Sequence, residues 1–369
     1  MLTRRQFGIA AGSFAGLSCA REKGNGFEGH AFVANEEGGA IAAVNLTAFA
    51  VTRHIRIEGK PTKVVSHPSL PSVWALASGF LHEIDPTRLE FRRKLSLGGP
   101  ALDLQLSPDG VHLWILSPGR LAKFVAETLA PAGTWILPAK ALSFVLARRE
   151  PWAAVVMKNT PPLLLPTEQP GRHSAIVLPY QSDLAHFRSD GQQLLLAGAA
   201  ARLATFVTVP EGRTVAHLPL AIEPRRVTSK PDGGELYLTG DGLDAVVVLY
   251  PYLAEVGETV LAGRRPAAMA AVSTPDVDYL FVANPEAGNV TILDITTHKM
   301  VGAVSVGKDP SFLTITPDGQ YALVLNRASG DMGVIRVKAV VRNRGKSAPL
   351  FTMIPVGSRP VAAAIRAEM

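Results

Sequence analysis

The chain has 369 residues, 47% of them hydrophobic and only 18% charged, which excludes a mainly disordered polypeptide. Its single Cys excludes a disulfide scaffold and any multi-cysteine zinc or iron–sulfur centre. The formal charge of +6 falls to +4 without residues 1–20 (35 basic against 31 acidic), too little over so large a surface to point to nucleic acid.

Residues 3–8 read TRRQFG, and an Ala- and Gly-rich apolar stretch follows as far as Ala20. That stretch is shorter than the roughly 20 apolar residues a bilayer span needs. Arg4 and Arg5 followed by Phe7 resemble the twin-arginine export signal, which implies a periplasmic destination. Ser18 and Ala20 suit cleavage after Ala20. Leu17-Ser18-Cys19 also resembles the end of a lipoprotein box, in which Cys19 would carry the lipid, although Gly16 stands where that box has a large apolar residue. The chain is therefore divided into a signal segment (1–20), a linker (21–28) and one domain (29–369), read as a monomer whose only contact with a membrane would be that lipid.

From residue 30 onward, short apolar runs recur: HAFVAN at 30–35, SVWALA at 72–77, HLWILS at 112–117, WAAVVM at 152–157, QLLLAG at 193–198, ELYLTG at 235–240, YLFVAN at 279–284 and YALVLN at 321–326. Their starts lie 40 to 44 residues apart, the length of one four-stranded propeller blade. Turn sequences precede many of them, as in Ser107-Pro108-Asp109-Gly110, Lys230-Pro231-Asp232-Gly233 and Thr316-Pro317-Asp318-Gly319, with Ser189-Asp190-Gly191 a shortened copy. Proline presets φ there, Asp bonds back to the backbone and Gly accepts positive φ, so these aspartates are read as turn formers. Further apolar runs follow each marked strand, and a Pro-bearing corner leads into the next innermost strand. No helical stretch of comparable regularity interrupts the series.

The fold class is therefore all-β, an eight-bladed β-propeller. The chain starts inside a unit and residues 360–367 (PVAAAIRA) supply an innermost strand with nothing after it, so pairing the two ends completes one blade and removes the free edges. Residues 137–178 are the most degenerate unit, and without them the count would be seven. The run from Phe281-Val282-Ala283-Asn284 to Thr316-Pro317-Asp318-Gly319 resembles the YVTN-type propeller repeat family. That resemblance implies a fold and an extracytoplasmic setting, and no one chemistry.

Trp74, Trp114 and Trp152 fall at nearly the same place in successive repeats, which reads as packing between sheets. The Pro corners meet around the axis on one face and carry Lys60, Lys140, Arg225, Arg226, Arg264, Arg265, Lys308 and Arg359, with Asp309 and Glu223 the main opposing charges. Such a cationic mouth would focus positive potential and grip carboxylates or phosphates. Asp103, Asp183 and His186 are read as innermost-strand residues that could reach the channel, and His67 as the end of another such strand. In the last unit, residues 339–349 lengthen a loop and gather Arg342, Arg344 and Lys346.

The sequence holds no HxH or HExxH metal spacing, no GxSxG elbow and no phosphate loop, and acidic residues on the innermost strands are few. The reading is a binding module for an anionic ligand or a partner protein. Blade count, export signal and cationic corners are also similar to the propellers that hold d1-type haem in cytochrome cd1 nitrite reductases and haem-d1 maturation proteins. That resemblance implies a tetrapyrrole as the alternative ligand. Hydrolysis in the channel ranks below both.

Overall fold

The computed structural model describes residues 26–342 and 349–368. Among them, eight four-stranded antiparallel sheets form, seven of them uninterrupted meanders. Blade 1 combines Gly29–Asn35, Ala40–Asn45 and Ala50–Arg56 with Pro360–Ala367 from the other end of the described chain. Blades 2 to 8 follow in order over residues 61–96, 103–136, 141–175, 184–219, 223–261, 269–305 and 310–355. The degenerate unit is blade 4, whose outer strand has shrunk to Ser174–Ala175.

Residues whose side chains alternate across a strand normally present one polar face, because one face of the sheet meets water. Here the second strand of every blade is buried on both faces, as in Val73–Ala77 and Tyr321–Asn326. Neighbouring blades pack on both sides of it, so the strands read as continuous apolar runs rather than alternating ones. The outer strands are instead largely exposed, as Glu90–Ser96 shows.

The short turns behave as their residues require. Asp109, Asp190, Asp232 and Asp318 each accept a hydrogen bond from the backbone N–H two residues on, at 2.8 to 3.0 Å. The glycine next to each aspartate has φ between 69° and 78°, where a side chain would be strained.

Blade 1 is tied into the ring beyond its own ladder. Arg366, buried on the last strand, donates to the carbonyls of His67 (2.5 Å) and Leu70 (2.6 Å) in blade 2. The His67 ring accepts from the Ser69 and Leu70 N–H groups at Nδ1, which leaves the proton on Nε2 to donate to the Gly110 carbonyl in blade 3 at 2.9 Å. His67 thus serves as a staple between blades.

Two features differ from the sequence reading. A helix, Val337–Arg342, opens the lengthened loop of blade 8. Val337 and Val340, three residues apart on one helical face, are both buried against blades 7 and 8, which explains why this stretch coils up. The tryptophan series also breaks: Val65 pairs with Trp74, Gln105 with Trp114, and Val145 with Ala154. Trp152 therefore stands two positions earlier in its repeat and is only half-buried, whereas Trp74 and Trp114 lie in the core. Trp135, on an outer strand, is the fully buried partner of Trp114, with ring centroids 5.1 Å apart.

Candidate ligand site at the mouth

An antiparallel meander sends its first and third connections to one end of the blade, and its second connection, with the link to the next blade, to the other. Each Pro corner therefore shares an end with the loop after a second strand. Three corners hold a non-glycine residue at left-handed φ directly before proline: Arg265 (51°), Asp309 (56°) and Arg359 (56°). Proline disfavours right-handed helical backbone in the residue before it, and the neighbouring loop holds each turn in place. Arg265 N–H donates to Asp244 Oδ1 at 2.8 Å, while the Asp309 and Arg359 carbonyls accept from the N–H groups of Arg327 (2.9 Å) and Glu36 (3.0 Å).

The side chains couple the same loops. Arg359 pairs with Glu36 (2.6 Å) and Glu37 (3.2 Å), Arg265 with Glu286 (3.2 Å), and Arg225 with Asp241 (2.9 Å). Arg327 pairs with Asp309 (2.7 Å) and Arg202 with Glu223 (3.1 Å). Glu36, Glu37, Asp241, Glu286 and Arg327 do not stand out from sequence alone. The signal that finds them is strand parity, which puts the residues just after each marked strand at the mouth.

The corner cations consequently divide into two groups. Arg225, Arg265 and Arg359 are each neutralised in part by an acid at the end of a second strand or in the loop after it. Lys60, Lys140, Arg226, Arg264 and Lys308 are exposed and make no ion pair among the described residues.

A cleft of about 390 Å³ opens where blades 6, 7 and 8 meet at this end. Four arginines, Arg225, Arg226, Arg265 and Arg327, line it against two carboxylates, Asp241 and Asp309. The Ser311 hydroxyl is buried at its edge without a hydrogen-bond partner among the described residues. A second cleft of about 560 Å³ adjoins it toward blade 1, sharing Asp309 and Arg327 and adding Glu37 and Arg359. Lys60, Lys140, Arg264 and Lys308 line neither cleft.

The three residues expected at the channel are held apart by separate partners. Asp103 pairs with Lys63 of blade 2 at 3.0 Å and accepts from Gln105 Nε2 at 3.2 Å. Asp183 precedes the innermost strand, which begins at Leu184. Its carboxylate accepts the Ala199 N–H at 2.7 Å and its own N–H donates to the Ala197 carbonyl, so it closes off the end of the ladder. His186 does lie on that strand, and burial, reinforced by the Arg148 charge, lowers its imidazole to about 4. It is therefore neutral at neutral pH. No hydrogen bond or ion pair among the described residues joins Asp103, Asp183 and His186. Among the described residues, no group of three or more His, Cys, Asp or Glu side chains is placed to share a metal ion. Arg4, Arg5, Phe7, Cys19, Arg344 and Lys346 lie outside the described residues.

The sequence matches no protein-family model and no curated protein. Solved structures resemble it in fold. The dihydro-heme d1 dehydrogenase NirN, solved in complex with DHE, superposes with a TM-score of 0.73 at 16% identity, over 89% of this chain and 74% of that one. Hydrazine synthase from Kuenenia stuttgartiensis gives 0.57 at 15% identity over 88% and 99% of the two chains. The β-propeller domain of Cps50 (Swd1) from Myceliophteria thermophila gives 0.61 at 12% identity over 76% and 98%. At these identities the likeness is one of fold alone, the β-propeller.

Proposed function

We propose that the protein is an exported, YVTN-type propeller that binds an organic anion at the mouth of blades 6 to 8, without chemistry of its own. The observation that carries this reading is the set of four arginines over two carboxylates in one concave cleft. Asp241 and Asp309 orient Arg225 and Arg327, while Arg226 keeps its donors for a ligand. A guanidinium grips a carboxylate with two parallel hydrogen bonds, and the surrounding concave wall strengthens the field.

A tetrapyrrole of the d1-haem kind is the second reading. It is favoured by the joined clefts, which offer arginines on both sides of the shared Asp309–Arg327 pair, and by the fold likeness to a dihydro-heme d1 dehydrogenase. An absorption spectrum and native mass of the protein from its own host separate the two: a visible band with added mass supports the cofactor, and a colourless protein of bare polypeptide mass supports the scaffold.

The site itself is tested with coproporphyrin, a tetracarboxylate tetrapyrrole, followed by its absorption shift. Saturable binding is expected, weakened about tenfold or more when Arg225, Arg226 and Arg265 are changed together to Ala. Unchanged affinity in that variant would overturn the mouth as an anion site.

Export rests on the twin-arginine resemblance at Arg4, Arg5 and Phe7, and lipidation on Cys19. Arg4→Lys combined with Arg5→Lys should leave precursor in the cytoplasm on fractionation. Normal secretion of the double variant would refute that route.

A further inference from the structure

One position of the repeat lies on the third strand of each blade, directly opposite the Trp74 or Trp114 position of the second strand. In blade 1 and blades 4 to 8 it is Ala43, Leu164, Phe206, Val248, Ile292 and Val334, all apolar. In blades 2 and 3 it is Glu83 and Lys123, both buried. Glu83 is fully accounted for. It pairs with Arg92 (2.9 Å) and Arg93 (2.5 Å) and accepts from the Ser72 hydroxyl at 2.8 Å.

Lys123 is not matched in this way. Its side chain is 6% exposed, and it donates to the Thr167 carbonyl at 2.8 Å over the Trp114 ring, 5.6 Å from the centroid. The nearest carboxylate, Glu168, is 3.7 Å away and 73% exposed. A three-donor ammonium so deep in the protein, with one acceptor at hydrogen-bond distance, is costly unless a counter-charge reaches it.

A cleft of about 290 Å³ between blades 3 and 4 leads to this ammonium. It lies at the end opposite the mouth, beside the turn that carries Asp109. Trp152, displaced from the core series, forms part of its wall. Arg148 and Arg149 stand exposed at its rim without an ion pair among the described residues. Of the carboxylates at the cleft, Asp109 is engaged by the Ser107 hydroxyl and the Val111 N–H of its own turn, and Glu150 and Glu168 lie at the exposed edge. Burial, and after it the Lys123 charge, lowers the His112 imidazole.

We propose that this cleft is a second ligand site, for a small aromatic carboxylate, with the carboxylate on Lys123 where Glu168 now approaches and the ring against Trp152. The size of the cleft suits a single ring rather than a macrocycle. Glu168 acts as a movable placeholder, displaced when the ligand enters. Arg149 adds attraction from the rim.

Benzoate, titrated against the full protein by calorimetry and tryptophan fluorescence, is the probe. Saturable binding is expected. It should weaken about tenfold in Lys123→Met and about threefold in Arg149→Ala, and tighten about threefold in Glu168→Gln. Should Lys123→Met fail to fold, the other two variants lie at exposed positions and must still move affinity in opposite directions. The Arg225, Arg226 and Arg265 triple variant should bind benzoate unchanged, which keeps this site separate from the mouth. Absence of saturable binding, equal affinity across the variants, or competition by inorganic phosphate as strong as by a second aromatic carboxylate would each overturn the proposal.

Discussion

Removing the last strand, Pro360–Ala367, is expected to abolish the fold. Its ladder with Gly29–Asn35 runs from Gly29 opposite Ala367 to Asn35 opposite Pro360. Its loss would leave the second strand of blade 1 as an apolar open edge, the kind of surface that drives aggregation. The same truncation removes Arg366 and the Ser66 hydroxyl's acceptor, the Ile365 carbonyl, so the contact between blades 1 and 2 goes as well. At about 1 kcal/mol per backbone hydrogen bond plus the buried apolar area, the loss is roughly 5 kcal/mol or more, comparable with the whole stability of a domain. A permuted chain gives the control. Glu368 N–H lies 3.0 Å from the Glu28 carbonyl, so a short loop can place the last strand ahead of the first. That permutant should recover a Tm within roughly 5 °C of the parent. A soluble, cooperatively melting truncation, or a permutant that also aggregates, would contradict the closure argument.

Acid should destabilise the ring through His186. The imidazole titrates near 4 in the folded protein and near 6.5 unfolded, because burial, and secondarily Arg148, disfavours its charge. Between those values the unfolded chain binds a proton that the folded chain refuses. Stability is therefore intact above about pH 6.5, declines as pH falls, and stops declining below about pH 4, a total of roughly 3 kcal/mol. His30, His82 and His112 are lowered chiefly by burial too and act in the same direction. The measurement is thus a difference: urea midpoints of the parent and of His186→Gln between pH 7 and pH 4. The variant should be flatter by that amount. Parallel curves would show that His186 carries no part of the acid lability.

The architecture was legible because the 40- to 44-residue spacing repeats both the apolar run and its turn chemistry, and eight copies leave little room for another fold. Closure was legible from the unpaired ends. The mouth was legible by halves. Corner cations such as Arg225 and Arg265 announce themselves beside proline, yet the acids that answer them, Asp241 and Glu286, sit at the end of a second strand or in the loop after one. Only the parity of the meander brings them together. Trp152 misled because its run begins two residues early relative to its neighbours, a slip that becomes visible once Ala154 is seen opposite Val145. Lys123 carries a faint signal in advance, a single charge inside the apolar third strand Arg120–Val125, but nothing in the sequence distinguishes it from the well-paired Glu83.

Joining the first described strand to the last also sets a timetable. At about 5–20 residues per second, synthesis from Gly29 to Ala367 takes roughly 15–70 s, and for all of that time the first strand has no inner neighbour. Blades 6 to 8, which frame the arginine cleft, are consecutive in the chain and complete by Pro355, ahead of the strand that shuts the circle. Every residue that lines that cleft is thus synthesised before the strand that closes the ring exists.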